Sequence, residues 1–452
     1  MKLDWAVMIK IPEPVTEIFN RLNENGFKAY LVGGCVRDYL RGQSPGDFDM
    51  TTDARPDQIK DCFKNERVLE TGLKHGTLTV LKGGLAVEIT THRTEGLYSD
   101  SRHPDAVFFT KELCEDLKRR DFTMNALAYH PVRGIIDCFN GLEDIKNQVI
   151  KSVGDPNRRF QEDALRILRG LRFSAVLGFI IEAETFQAMR EQAHLLKRIS
   201  AERISQELDK LLLGENVRKI LIDGVDILGV VIPELLPLKN YDQKNPHHCY
   251  DLLNHTAVSV AAAAQISELK WAMLFHDLGK PACATVDQDG TGHFYGHSRV
   301  SEEIARRRLN ALRLPKEKIR KICLLIKYHD AVIEKDERLL KRWLNRLGEE
   351  SFRQLLAVKR ADCMAQDASC HYRLEEIDEI EKMIDQLIAE QACFSLKDLA
   401  LDGNDLIAVG IEKGPAVGKA LKMLLKAVME EGLVNEKESL LKFLKEGENH
   451  VN

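Results

Sequence analysis

The sequence predicts an α/β head built on a small mixed β-sheet, followed by an all-α body. Up to about residue 140, short β-like runs (KAYLVGG, DFDMTT, HGTLTVLK, LAVEITTHR, DAVFFT) alternate with helix-like segments and glycine-bearing turns. Beyond that point strand signals almost vanish. Segments such as EDALRILRGLRFSAVL, AERISQELDKLLL and SVAAAAQISELKWAMLFHDLG carry apolar residues at three- and four-residue spacing, the mark of amphipathic helices. The stretch 233–248, PELLPLKNYDQKNPHH, is rich in Pro and Asn and reads as a linker. No internal repeat or low-complexity tract interrupts the pattern. The expected division is a head over 1–145, a helical neck over 146–232, a third helical unit over 233–345 and a helical tail over 346–452.

Composition excludes several classes. With 452 residues, 44% hydrophobic and 30% charged, the chain can bury several cores as a soluble protein. Charges interrupt every apolar run well short of a membrane span, and MKLDWAVMIKIPEP lacks the pattern of a secretory signal. Ten cysteines without a CxxC pair predict reduced thiols in a cytoplasmic protein and argue against a cysteine-based zinc site. The formal net charge of −5 does not advertise a nucleic-acid binder. Basic clusters near residue 118, at 158–160 and over 299–321 supply local positive charge, although such stretches most often form solvated helix faces.

The densest chemical signal is LVGGCVRDYLRGQSPGDFDMTT, residues 31–52. Gly33 and Gly34 follow an apolar strand-like run and open a short amphipathic stretch, the arrangement that lets backbone N–H groups approach a polyphosphate. Asp47 and Asp49 are separated by one apolar residue, so on an extended strand both carboxylates face one way. Hard oxygen ligands beside a phosphate-binding turn suit Mg²⁺ bridging protein and nucleoside triphosphate. Glu88, in LAVEITTHR, completes such a site if its strand lies beside that of Asp49; otherwise it is an edge glutamate facing water.

Two further motifs add recognition groups. In RRDFTMNALAY (119–129), Arg119 and Arg120 can hold triphosphate and Asp121 can accept from a ribose hydroxyl. Asn125 would share a helical face with Asp121, which alternatively only caps that helix. In RFQEDALRILR (159–169), Glu162 and Asp163 precede Arg166 by about one turn and Arg169 by two, so on one continuous helix they fall on one face. Surface ion pairing produces the same spacing. An Asp acceptor beside an Arg donor array also matches the base edges of C and A, which present an exocyclic amine where U and G do not.

Taken in order, LVGGCVRD with DFD, TGLKHGTLTV, RRDFTMNALAY, GLED, RFQEDALRILR and SAERISQEL resemble the class II tRNA nucleotidyltransferases, the family of bacterial CCA-adding enzymes and poly(A) polymerases. The resemblance spans roughly the first 215 residues. It implies that Asp47 and Asp49 hold two catalytic Mg²⁺ ions and that Gly33, Gly34 and Arg37 lie along the triphosphate. It implies ribose recognition by Arg120 and Asp121, base pairing by Asp163 and Arg166, a hinge at GLED (141–144), and a supporting neck helix bearing Glu202 and Arg203. The substrates implied are the tRNA 3′ end, CTP and ATP. The segment THRTEGLYSDSRHPD (91–105) corresponds to a flexible loop associated in the family with A addition, with Asp100 or Arg102 as a lever.

The second half carries His255 in LLNHTAV, His276–Asp277 in AMLFHDLGKP and Asp330 in IKYHDAV. These resemble the ligands of the HD superfamily of metal-dependent phosphohydrolases, which makes 233–345 an HD-type domain. Imidazole with carboxylate suits Mn²⁺, Ni²⁺ or Mg²⁺ better than structural zinc. Lys280 could assist a phosphate, and His297 and His329 a second ion. The expected function is therefore CCA addition from CTP and ATP, with an accessory phosphohydrolase. The alternatives are A addition only, a poly(A) polymerase on other RNA, and an HD phosphohydrolase whose head only senses nucleotide.

Overall fold

The computed structural model describes residues 9–96, 106–245 and 247–448. The chain forms two compact units that divide between Leu236 and Pro237. The segment 97–105, with Asp100 and Arg102 of the expected loop, lies outside the described residues.

The first unit opens with α1 (Glu13–Glu24), whose apolar stripe buries Val15, Ile18, Phe19 and Leu22. The head then runs β1 (Ala29–Val32), α2 (Gly34–Leu40), β2 (Phe48–Thr52), α3 (Pro56–Cys62), β3 (Arg67–Leu69), β4 (Thr77–Lys82) and β5 (Leu85–Thr91). It continues through β6 (Arg93–Glu95), β7 (Val107–Phe109), α4 (Leu113–Lys118), β8 (Leu127–His130) and β9 (Gly134–Asp137). Seven strands form one mixed sheet in the order β3-β4-β5-β2-β1-β8-β9. Every neighbouring pair is antiparallel except β2 with β5. Central β1, AYLV, is buried at every position, as an apolar run covered on both faces must be. Gly83 and Gly84, both at positive φ (55° and 80°), make the two-residue turn that folds β4 back on β5.

The neck comprises α5 (Gly141–Lys146), β10 (Val149–Ile150), α6 (Pro156–Glu162), α7 (Leu165–Leu177), β11 (Ile180–Ile181), α8 (Ala183–Gln192), α9 (Ala201–Leu212), α10 (Val217–Asp223) and α11 (Val225–Leu228). Helix α9 packs on α7 through Ile204, Leu208, Leu211 and Leu212.

The second unit is helical: α12 (Leu252–Ala262), α13 (Ser267–Phe275), α14 (Lys280–Cys283), α15 (His297–Ala311), α16 (Lys316–Tyr328), α17 (Glu337–Leu347), α18 (Glu349–Cys363), α19 (Tyr372–Ala389), α20 (Gly403–Ala408), α21 (Pro415–Glu430) and α22 (Lys437–Glu448). A hairpin of β12 (Thr285–Val286) and β13 (Gly292–His293) interrupts it. Helix α13 is buried on all sides between α12, α16 and α18. Its Lys270 donates to Val260 O (2.8 Å) and Ala261 O (3.3 Å), satisfying carbonyls that the end of α12 would leave open. Among the described residues no helix is long and apolar enough to cross a membrane.

Several expectations require correction. The division between the two units falls inside the expected linker 233–248, but that stretch is packed rather than exposed, with Leu235, Leu238 and Gln243 buried. The boundary expected at 345/346 falls inside α17. FTMNALAY is one short 3₁₀ turn, Thr123–Asn125, leading into β8, because its apolar residues complete the sheet. The helix expected over 159–169 breaks at Asp163, whose backbone is extended (φ −138°, ψ 101°). Finally, Cys114 and Cys138 form a disulfide across 24 residues, while the other eight cysteines are free. Packing of Leu113 and Leu117 of α4 beside Phe139 brings those two sulfurs together, a proximity without any local spacing signature.

Candidate active site

Gly33 caps the start of α2 at φ 76°, a backbone region that side chains disfavour. The room is also taken. A Cβ there would lie 2.9 Å from Arg120 Nη1 and 3.9 Å from Asp49 Oδ2. The glycine turn, the arginine and the aspartate therefore converge on one point. Asp49 is on β2, and the parallel register sets it directly opposite Glu88 on β5. Burial raises the Asp49 pKa, and the Glu88 charge raises it further, against the opposing pull of Arg120. Asp47 also adds repulsion, but it is exposed and sits in the bend before β2. Strand β2 begins at Phe48, one residue after Asp47, and Glu88 supplies a further carboxylate in register with Asp49.

Behind this point runs a hydrogen-bonded chain from head to neck. Arg37 pairs with Asp38 (2.9 Å) and donates to Asn125 Oδ1 (2.8 Å). Asn125 Nδ2 donates to Asp121 Oδ1 (3.1 Å), and Arg169 donates to Asp121 Oδ2 (2.7 Å). Burial alone would raise the Asp121 pKa; the Arg169 guanidinium and the Asn125 and Phe122 N–H donors outweigh it and hold the carboxylate well below its usual range. Asp121 and Asn125 do meet, though across a 3₁₀ turn rather than along an α-helix. Arg119 turns away to Asp116 (3.0 Å) and Glu95 (3.3 Å). Asp116 is fully buried and also accepts from Thr51 and the Arg93 N–H, so it anchors α4 to β2.

The break at Asp163 redistributes the expected base-reading face. Glu162 ends α6 and binds Arg159 (2.8 Å) and Arg166 (3.0 Å). Arg166 also donates to Arg159 O and Arg119 O, both at 2.9 Å. Asp163 instead accepts from the Leu165 N–H (3.1 Å) and from Arg203 on α9 (3.0 Å). Arg169 and Arg172 flank Glu207 at 4.0 and 3.1 Å. Asp116 and Glu207 were missed as contributors. Glu207 lies inside SAERISQEL and could have been weighed; Asp116 has no sequence signal.

A second cluster lies in the second unit. His255, His276 and Asp277 bring ligand atoms within 4.8 Å of one another, and so do Asp277, His297 and His329. Asp277 divides its oxygens: Oδ2 is 3.3 and 3.2 Å from His255 and His276, and Oδ1 is 3.3 and 3.6 Å from His297 and His329. Each imidazole Nδ1 faces a backbone carbonyl (Ala365, Met273, Phe294, Ile326), which fixes the proton there and turns Nε2 inward. The Nε2 atoms meet in pairs at 3.2 Å, His255 with His276 and His297 with His329. Facing lone pairs need a proton or a cation between them. Burial would lower the His276 pKa, but Asp277 and Asp362 override it and hold it at about 10.

The fourth residue against the first imidazole pair is Asp362 of α18, 3.1 Å from His255 and 3.6 Å from His276. Asp330, the residue expected in this role, is exposed two residues past the end of α16 and forms no ion pair with the imidazole Nε2 atoms. One residue past His329, it lines a cavity outside the cluster near His297, whereas α18 brings its carboxylate against the imidazoles. Asp362 sits in VKRADCM, which reads as an ordinary helix surface.

Three family descriptions match this chain: the poly A polymerase head domain over residues 29–151, the probable RNA and SrmB-binding site of polymerase A over 178–238, and tRNA nucleotidyltransferase domain 2 over 294–444. The CCA-adding enzyme of Limosilactobacillus fermentum is 34% identical over 435 residues, covering 95% of this chain and 96% of the relative. That of Enterococcus faecalis is 35% identical over 431 residues, covering 95% and 94%. The crystal structure of the Bacillus stearothermophilus CCA-adding enzyme in complex with CTP superimposes with a TM-score of 0.70 at 30% identity, covering 97% of this chain and 98% of that one. With near-full-length likeness added to the glycine–arginine–aspartate convergence, this chain belongs to the class II tRNA nucleotidyltransferases, in the family of CCA-adding enzymes.

Proposed function

We propose that this chain adds CCA to tRNA 3′ ends from CTP and ATP, releasing pyrophosphate. The observation that carries this is the approach of Arg120 and Asp49 to Gly33, with Glu88 in register beside Asp49. The repulsion that Glu88 and Asp47 exert on half-buried Asp49 fits a site completed by divalent cations, so these three would hold Mg²⁺. When bound, Mg²⁺ lowers the pKa of the attacking hydroxyl and neutralises the leaving pyrophosphate. The Gly33–Gly34 turn and Arg37 line the triphosphate, and Arg120 adds charge where phosphate oxygens accumulate. Asp121, held ionised by Arg169, accepts from the ribose hydroxyl. Asp163 takes the exocyclic amine of C or A, and Arg203, 3.0 Å away, aims its carboxylate. Arg166 positions that edge through Glu162. The primer 3′-hydroxyl attacks the α-phosphorus, so no side-chain nucleophile is required.

The test is incubation with tRNA lacking CCA, tRNA ending in CC, and an unrelated RNA, each with CTP, ATP or both. CCA addition requires C incorporation on the first substrate and A on the second. A incorporation alone would make it an A-adding enzyme, and tailing of the unrelated RNA a poly(A) polymerase.

A second reading concerns the imidazole–carboxylate cluster, which supports a divalent-metal phosphohydrolase: His255, His276, Asp277 and Asp362 would hold one ion, with His297 and His329 beside a second. Water would add to phosphorus and an alcohol oxygen would leave with a proton. Assay of the purified chain on a 2′,3′-cyclic nucleotide, with and without Mn²⁺ or Ni²⁺, tests it. No hydrolysis under any metal retires it.

A further inference from the structure

The cluster opens into a cavity of about 290 Å³ whose rim is formed partly by the β12–β13 hairpin. This size suits one small ligand and leaves no room for a longer oligonucleotide inside. At the rim Tyr295 is 78% exposed, an aromatic ring left in water where folding gains little from it. The ring is not loose. It stacks on His293 with centroids 5.4 Å apart and planes 5° from parallel. His293 is in turn clamped, its Nε2 2.6 Å from Asp287 Oδ2 and its Nδ1 3.4 Å from the Tyr295 hydroxyl. The hairpin beneath is pinned by Gly292 N–H to Lys244 O (2.7 Å) and Asn245 Nδ2 to Gly292 O (3.1 Å). A flat aromatic surface is thus preorganised before any ligand arrives.

The opposite requirement, a grip on a phosphate, is met deeper in the same cavity. Lys280 is buried and bound to Asp277 Oδ2 (2.7 Å) and Gln243 Oε1 (2.9 Å), which orients its ammonium beside the cluster. Arg373, on α19, lines the cavity from another wall, its Nη1 held by Gln366 Oε1 at 3.1 Å. Cations beside the carboxylate–imidazole cluster with an aromatic plate at the mouth match a ligand having a phosphate at one end and a flat ring at the other.

We infer that this cavity binds a single phosphorylated nucleoside, with its phosphate between the cluster, Lys280 and Arg373 and its base stacked on the Tyr295–His293 pair. This rests on the phosphohydrolase reading above and deepens it, naming Tyr295 as the residue that selects nucleotides over other phosphate esters. Stacking on π-faces tolerates any base, and the larger purine surface gains more from it. Two sources share this chemistry, a free nucleotide and the last nucleotide of an RNA, and the test separates them.

The full chain is photolabelled with 8-azidoadenosine 3′-monophosphate plus Mn²⁺, and the labelled peptide is identified, which distinguishes this cavity from the head. Adduct in the peptide containing Tyr295, displaced by adenosine 3′-monophosphate and not by glycerol phosphate, is the expected result. Displacement by a short RNA bearing a 3′-terminal phosphate at lower concentration than by the mononucleotide identifies an RNA end as the source; the reverse order identifies a free nucleotide. Tyr295→Ala and Tyr295→Leu should each raise the concentration of adenosine 3′-monophosphate needed for displacement by roughly five- to a hundredfold, and Tyr295→Phe should leave it near wild type. Arg373→Ala should weaken the nucleotide and inorganic phosphate alike. Label confined to the head, equal displacement by glycerol phosphate, or a Tyr295→Leu variant that behaves as wild type would overturn the inference. If the label is found at Tyr295 but no phosphate ester is cleaved, the platform stands and the hydrolase reading falls. Hydrolysis of glycerol phosphate as fast as of the nucleotide has the opposite consequence.

Discussion

Glu88 stands directly opposite Asp49 where β2 runs parallel to β5, so the two carboxylates share one face of the sheet at the point where Gly33 leaves room. Burial raises the pKa of Asp49, and the neighbouring Glu88 charge raises it further.

An acid whose folded pKa is raised loses stability as pH rises through its titration, so at neutral pH Asp49 destabilises the metal-free fold. Asp49→Asn is expected to raise the melting temperature without Mg²⁺ by about 1–3 °C. The same change should lower CTP incorporation at least ~10³-fold, because several kcal/mol of charge stabilisation go with it. Thermal melting with and without Mg²⁺, beside an incorporation assay, checks both. A variant that melts lower and still polymerises would contradict the assignment.

Arg203 reaches Asp163 from α9 at 3.0 Å. Arg203→Ala should raise KM for CTP and ATP roughly tenfold, the worth of one charge-assisted hydrogen bond. Misincorporation of UTP should rise as well, and Arg203→Lys should recover part of the loss. Steady-state kinetics with each nucleotide reads this out. Unchanged discrimination would assign Arg203 to folding alone.

Asp121 is buried against Arg169, with its pKa held below the usual value. Its contribution is therefore complete above the unfolded-state pKa near ~4 and is lost as pH falls below that value. Asp121→Asn should cost about 1–3 kcal/mol at pH 7, and the difference from wild type should shrink as the pH is lowered through 4. Urea unfolding from pH 7 down to 3 measures it. A constant difference across that range would remove the electrostatic explanation.

The imidazole cluster separates two aspartates that the sequence alone does not. Asp362→Asn is expected to weaken Mn²⁺ binding at least about tenfold, whereas exposed Asp330→Asn should leave it within about twofold. Equilibrium dialysis followed by metal analysis decides between them. Equal losses would restore Asp330 as a ligand.

The local order of residues was enough to show a mixed-sheet head, a helical body, the glycine turn, and most side chains that gather around it. Those features depend on periodicity and on motifs in which chemistry and chain spacing coincide. Other features require partners far apart in the chain. The kink at Asp163 arises because its carboxylate is held by the following turn and by a guanidinium 40 residues onward, so an apparent single helix becomes two. Glu88 joins Asp49 only through a strand register, and Asp362 reaches His255 and His276 only because α18 packs beside α12 and α13. Cys114 finds Cys138 through the packing of α4 against the sheet. Sequence periodicity reports which face of an element is apolar, and so determined the elements. Which charged group meets which depends on where those faces come together, and that was decided by tertiary packing.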